Sequence, residues 1–272
     1  MKQKLGFFFL ISFVSFLFAQ AQDFPKTITV PQAGVACSEM NAARVGAQVL
    51  KAGGTAMDAM VATGMAMAVT YPFAGNIGGG GFLLYFNAKT GKVTAFDFRE
   101  TAPAGASPTM YLDREGNPVA EKSRLGGLAV GVPGTVRGLA MAHNRFGRIK
   151  WATLLQPAVE LARYGFVVDS AFYHSLLHYK EALAKFPSTR NIFLPNGKVP
   201  QPGTLFIQTD LANTLAHIAR KGANAFYRGK IARLIARSVQ AHGGVLTEAD
   251  LARYQAKERA PVVITYRGYT LY

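Results

Sequence analysis

The chain has 272 residues, half of them apolar and 17% charged, which excludes a disordered protein and leaves ample material for a core. Its net charge of +15 raises nucleic acid or an anionic membrane as partners, but the basic residues are scattered, with no run of five and no aromatic interleaving, so neither is expected. Cys37 is the single cysteine, which excludes an internal disulfide; between Ala36 and Ser38 it reads as a small buried residue rather than a catalytic thiol.

The N-terminus has the three parts of a secretory signal peptide: Lys2 and Lys4, an apolar core from Phe7 to Phe18, and the small-x-small cleavage site Ala19-Gln20-Ala21. The apolar stretch is too short for a spanning helix. Residues 22–272 are therefore expected as the mature region, periplasmic or secreted, with no membrane association after the leader is removed and a charge of +13. A short strand is predicted over Thr27 to Val30. Ser38 then caps a helix running to about Ala52, stopped by Gly53-Gly54. Thr55 and Asp58 have capping-box spacing, and the helix they open, Ala56 to about Val69, is apolar on every side and so buried. Its methionines at 57, 60, 65 and 67 read as core filler, with no resemblance to a metal site. Tyr71-Pro72 ends it.

Asn76-Ile77-Gly78-Gly79-Gly80-Gly81-Phe82 follows. Four glycines without a β-carbon permit positive φ and close approach of another chain or a ligand. Phe82 to Phe86 reads as a strand, Asn87 to Gly91 as a turn and Lys92 to Phe98 as the returning strand. A regular pleat puts Asp97 and Arg99 on one face and Phe96, Phe98 and Glu100 on the other. Arg99 would then leave the hairpin beside a glycine-lined surface, a seat for a carboxylate. A phosphate loop would need Lys-Ser/Thr where Phe82-Leu83 stands, and a dinucleotide fingerprint would need a strand before the glycines and a helix after them. A structural loop around buried backbone remains the alternative.

Residues 101–128 are punctuated by Pro103, Pro108, Gly116 and Pro118 and read as irregular. A glycine-proline turn at 130–135 leads into a helix through Met141, closed by Asn144 to Gly147. Pro157 suits the first position of the next helix, which Gly165 ends. Phe186 to Gly203, with four prolines, is expected as an exposed excursion. Helices are predicted at about 211–221, 229–241 and 248–256, the last capped by Thr247 with Asp250. In the middle one, Lys230, Arg233 and Arg237 form a solvated outer face over Ile231, Leu234 and Ile235. Pro261 to Tyr272 is β-rich with nothing following to cover it, so the chain is expected to be cut short. No internal repeat or domain linker is found.

Several stretches together resemble the γ-glutamyltranspeptidases (glutathione hydrolases): Ala52 to Ala59, Pro72 to Phe82, Phe96-Asp97-Phe98-Arg99-Glu100-Thr101-Ala102-Pro103, and Gly131-Val132-Pro133-Gly134-Thr135-Val136, with shorter matches through Tyr266-Arg267-Gly268-Tyr269. The resemblance implies an α+β fold, the αββα sandwich of the N-terminal-nucleophile hydrolases, here incomplete and limited to large-subunit sequence. It implies a precursor that cuts itself before a threonine, whose hydroxyl, activated by its own α-amine, attacks the γ-amide of glutathione or a related compound. Water, an amino acid or a peptide then takes the γ-glutamyl group. No cofactor or metal is implied; the partners are the γ-glutamyl substrate and a small subunit from the same precursor. Carried over by residue, Arg99 would grip the substrate α-carboxylate, whose geometry matches a guanidinium fork. Asp97 and Glu100 would orient Arg99 or form a structural salt bridge. Gly78, Gly79, Gly80 and Gly81 would pack backbone near the site.

The sequence departs from the family at one decisive place: no threonine is followed by Thr-His, so the nucleophile is absent and no catalytic residue is assigned within this chain. The chain alone is expected to be inactive. A glutaryl- or cephalosporin-type acylase of the same superfamily, or a non-catalytic periplasmic binding protein, stays open beside the transferase reading.

Overall fold

The computed structural model describes residues 29–30 and 32–272. The leader at 1–21 and the start of the strand predicted at Thr27 lie outside the described residues; Thr29 and Val30 take no regular structure. Gly34–Tyr272 forms one compact unit.

Two packed helices come first, α1 (Met40–Lys51) and α2 (Ala56–Thr70). The cap of α1 is Glu39 rather than the expected Ser38. Its carboxylate accepts the N–H groups of Asn41 and Ala42 at 2.9 and 2.7 Å and the Thr70 hydroxyl at 2.5 Å, so one acid satisfies the start of α1 and the end of α2. At α2 the predicted capping box is present: Thr55 accepts from the Asp58 N–H, and Asp58 accepts from the Thr55 N–H. The second Asp58 oxygen takes the N–H groups of Arg148 and Ile149, at 2.9 and 3.2 Å. Val61, Ala62, Met65, Ala66 and Val69 are fully buried, as an all-apolar helix requires.

The hairpin is β1 (Phe82–Asn87) and β2 (Lys92–Asp97), paired antiparallel with Phe82 opposite Asp97. Leu83 and Tyr85 turn toward the core, where Tyr85 stacks on Phe146 at 4.1 Å, while Phe82, Leu84 and Phe86 face out, 68%, 53% and 62% exposed. Next come α3 (Thr135–Phe146), α4 (Trp151–Tyr164), β3 (Phe166–Val167), α5 (Ser170–His178), α6 (Lys180–Ala184), α7 (Pro187–Phe193) and β4 (Leu205–Phe206). They are followed by α8 (Thr209–Lys221), α9 (Asn224–Tyr227), α10 (Lys230–Ala241) and α11 (Glu248–Arg253). The chain then adds β5 (Lys257–Arg259) to the other edge of β2, giving an antiparallel sheet in the order β1-β2-β5. A separate hairpin, β6 (Ile264–Tyr266) and β7 (Tyr269–Leu271), is exposed throughout.

Three expectations are corrected. Pro157 lies inside α4, not at its first position. The six residues before it are held in helix by buried Leu154 and Leu155 and by the Trp151 indole N–H, which donates to the Ile218 carbonyl at 3.3 Å. Phe186 to Gly203 is exposed at most positions, as expected, but it is anchored and partly helical: Pro187 opens α7, and Leu194 and Val199 are buried. The buried face of α10 is Ala232, Ala236 and Val239, with Leu234 turned outward and 54% exposed. The helices α5 and α6 and the two-residue strands β3 and β4 had no counterpart in the sequence reading. Among the described residues no helix is long and apolar enough to cross a membrane.

Candidate carboxylate-binding site

Arg99 lies two residues beyond β2, and its surroundings are built by three segments. The first is the glycine loop. Gly81 and Phe98 exchange N–H···O bonds at 3.3 and 3.0 Å, continuing the hairpin ladder. A β-carbon at Gly80 would stand 2.5 Å from the Phe98 carbonyl oxygen, 2.9 Å from the Glu100 nitrogen and 3.0 Å from the Arg99 α-carbon. Glycine is required here for close approach. None of Gly78, Gly79, Gly80 or Gly81 takes a positive φ, so the other conformational freedom anticipated for them is unused. The Gly79 carbonyl accepts the N–H groups of Gly134 and Thr135, at 2.7 and 3.0 Å, which ties the loop to the start of α3.

The second segment is β2 itself. The Arg99 N–H donates to one Asp97 carboxylate oxygen at 3.2 Å. The other Asp97 oxygen accepts the Arg259 Nε–H of β5 at 2.7 Å. That bond first, and the Arg99 N–H second, hold the Asp97 carboxyl below its ordinary range. Asp97 thus orients the Arg99 backbone and forms its salt bridge with Arg259, not with the Arg99 guanidinium. Glu100 is exposed, makes no ion pair among the described residues, and lies against Gly79 and Gly131.

The third segment follows α11. The Tyr254 hydroxyl donates to the Arg99 carbonyl at 2.9 Å. Burial, then the charges of Asp97 and Glu100, push the Tyr254 phenol up to about 12, so it keeps its proton at neutral pH. Nothing in the sequence pattern pointed to this residue or to Arg259, because both lie more than 150 residues from their partners.

The Arg99 side chain is exposed, and its guanidinium has no hydrogen-bond or ion-pair partner among the described residues. A recess of about 530 Å³ shares Thr101 and Tyr254 with its surroundings, though Arg99 does not line it. A larger cavity, about 870 Å³, meets the first half of the glycine loop at Asn76, Ile77 and Gly78. Among the described residues no cluster of three His, Cys, Asp or Glu could hold a metal. The arrangement offers a fixed main chain carrying a free, always-charged donor fork, which is chemistry for capturing a carboxylate.

Residues 42–272 match the family described as Gamma-glutamyltranspeptidase. The chain is 44% identical, over 92% of its length, to the glutathione hydrolase proenzyme of Escherichia coli strain K12, covering 43% of that protein. It superposes on the crystal structure of Helicobacter pylori gamma-glutamyltranspeptidase with a TM-score of 0.88 at 41% identity, over 90% of this chain and 70% of that one. It also superposes on gamma-glutamyltranspeptidase from Pseudomonas nitroreducens complexed with L-DON, with a TM-score of 0.82 at 44% identity, over 90% and 71%. The chain spans less than half the length of the curated relatives it matches. The α+β fold, the glycine loop packed on the Asp-Phe-Arg-Glu strand end and the match over 42–272 agree: this chain belongs to the gamma-glutamyltranspeptidase family.

Proposed function

We propose that this chain supplies the carboxylate-gripping part of a two-subunit γ-glutamyltransferase and glutathione hydrolase. The observation that carries the reading is the Arg99 guanidinium, exposed and unpartnered among the described residues while the N–H and C=O of the same residue are both held. The names of the relatives, glutathione hydrolase proenzyme and gamma-glutamyltranspeptidase, favour a γ-glutamyl substrate over a cephalosporin or glutaryl side chain and support a processed precursor. In this reading the α-carboxylate of the γ-glutamyl group sits on the Arg99 fork. The scissile γ-amide is thereby placed for a threonine nucleophile carried on further polypeptide, since this chain contains no Thr-Thr-His. The acyl group passes to water, an amino acid or a peptide. The leader at 1–21 supports export, to the periplasm or outside the cell, before the enzyme acts.

The test is Arg99→Lys in the full-length precursor. A lysine keeps the charge but loses the two parallel donors, and weakening a charge-assisted pair costs about 2–3 kcal/mol. That corresponds to a rise in KM for the γ-glutamyl donor of roughly thirtyfold to a hundred-and-fiftyfold. Unchanged KM for R99K ends the assignment.

A further inference from the structure

We propose that Tyr254 is a positioning residue for Arg99: its hydroxyl fixes the carbonyl end of the Arg99 residue and so sets the direction in which the guanidinium leaves the backbone. The proposal rests on the reading of Arg99 as the carboxylate grip.

The Arg99 main chain is held at two ends by side chains of different origin. Asp97, two residues earlier, accepts its N–H at 3.2 Å, and Tyr254, 155 residues later, donates to its carbonyl at 2.9 Å. The hydroxyl occupies a slot that exists because Gly134 has no side chain; a β-carbon there would collide with both the Tyr254 hydroxyl and the Phe98 carbonyl oxygen. The ring is fixed as well. Tyr254 is only 6% exposed and lies nearly parallel to Tyr227, with centroids 5.8 Å apart and planes 8° apart. Tyr227 is fully buried, carries the Arg137 guanidinium 4.4 Å from its ring centroid and accepts the Arg137 backbone N–H at its hydroxyl at 3.0 Å. Arg137 in turn donates to the Asn224 side chain at 2.8 Å. The stack therefore draws on α3, α9 and the segment after α11, and among the described residues its polar contact with the Arg99 strand end is the phenol.

Removing that hydroxyl leaves the ring and its stack in place and frees one end of the Arg99 residue. A small rotation there is amplified along a long side chain, and displacements on the scale of an ångström are what substrate positioning is sensitive to. Because the head group is gripped alike before and during bond breaking, the loss falls on capture rather than on turnover.

The experiment is Tyr254→Phe in the full-length precursor, with initial rates on a γ-glutamyl anilide. KM is expected to rise about tenfold with kcat within about twofold of the parent. Tyr111→Phe removes another tyrosine-to-carbonyl hydrogen bond, to Leu128 at 3.2 Å, and is expected to leave KM unchanged. Adding Y254F to Arg99→Lys is expected to cost much less than tenfold, since the fork it aims is already gone. Where Y254F lowers stability, the rise in melting temperature given by a saturating γ-glutamyl amino acid reads the same capture without turnover and is expected to shrink. Unchanged KM and ligand shift in Y254F, an equal effect in Y111F, or full additivity with R99K each overturns the proposal. If R99K itself leaves KM unchanged, the reading of Arg99 falls and takes this with it; if R99K raises KM and Y254F does not, only the positioning role falls.

Discussion

At Gly80 a β-carbon would press on backbone atoms, the Phe98 carbonyl oxygen at 2.5 Å and the Arg99 α-carbon at 3.0 Å, and backbone in a paired strand cannot swing aside as a side chain can. Gly80→Ala is expected to destabilise the protein by about 1–3 kcal/mol and to raise KM for the γ-glutamyl donor, measured as a lower melting temperature beside a kinetic defect. An unchanged melting temperature would show that the loop has room to yield. At this scale the sequence was informative about type and silent about partners. A close backbone approach in the glycine loop could be read from the residues, and it falls at Gly80; Arg99 was singled out by the family motif. The hydroxyl on the Arg99 carbonyl and the guanidinium on Asp97 come from Tyr254 and Arg259, and no local periodicity encodes a contact across such a separation.

Helix ends were the most legible elements, because a capping box is settled within four residues. Both predicted boxes formed, Thr55 with Asp58 and Thr247 with Asp250. Burial works to raise both carboxyls, but their hydrogen bonds outweigh it and hold them low: for Asp58 those from Thr55, Arg148 and Ile149, for Asp250 those from Thr247, Ala104 and Arg253. A carboxyl lowered by folding contributes stability that is present above its unfolded value, about 4, and lost as pH falls through the folded one. The melting temperature should therefore drop from pH 5 to pH 3, and Asp58→Asn should remove part of that slope; a slope identical to the parent's would show that Asp58 does not contribute. The start of α1 misled because Ser38 has the commoner capping side chain, whereas Glu39 reaches two N–H groups and a hydroxyl at once. Glu39→Ala should cost about 1–2 kcal/mol and Ser38→Ala close to nothing by denaturant melts, and the reverse order would refute the assignment. At the start of α4 the local signal lost, while its end at Gly165 held. An interior proline costs about 3 kcal/mol, and the packing of α4 between α2 and α8 offsets it.

Over the whole molecule, the helices bury a continuous core while β1 presents Phe82, Leu84 and Phe86 outward, and Val262, Ile264, Tyr266, Tyr269 and Leu271 are exposed near the other end of the chain. Exposed apolar residues in such number invite association. Residues 22–272 produced alone are expected to aggregate and to show no γ-glutamyl hydrolysis, read by light scattering and by a γ-glutamyl anilide assay; a monodisperse or active preparation would contradict this. Replacing Phe82 and Phe86 with threonine, a residue suited to strands, should reduce the scattering without unfolding the core. The sheet has a further consequence, for the order of events at the ribosome. Its hairpin is local and can close as soon as residue 97 emerges, but the strand that pairs with the free edge of β2 begins at residue 257. At synthesis rates of about 5–20 residues per second that gap lasts roughly 8–30 s, so the nascent hairpin waits with its β2 edge unpaired far longer than it takes to form.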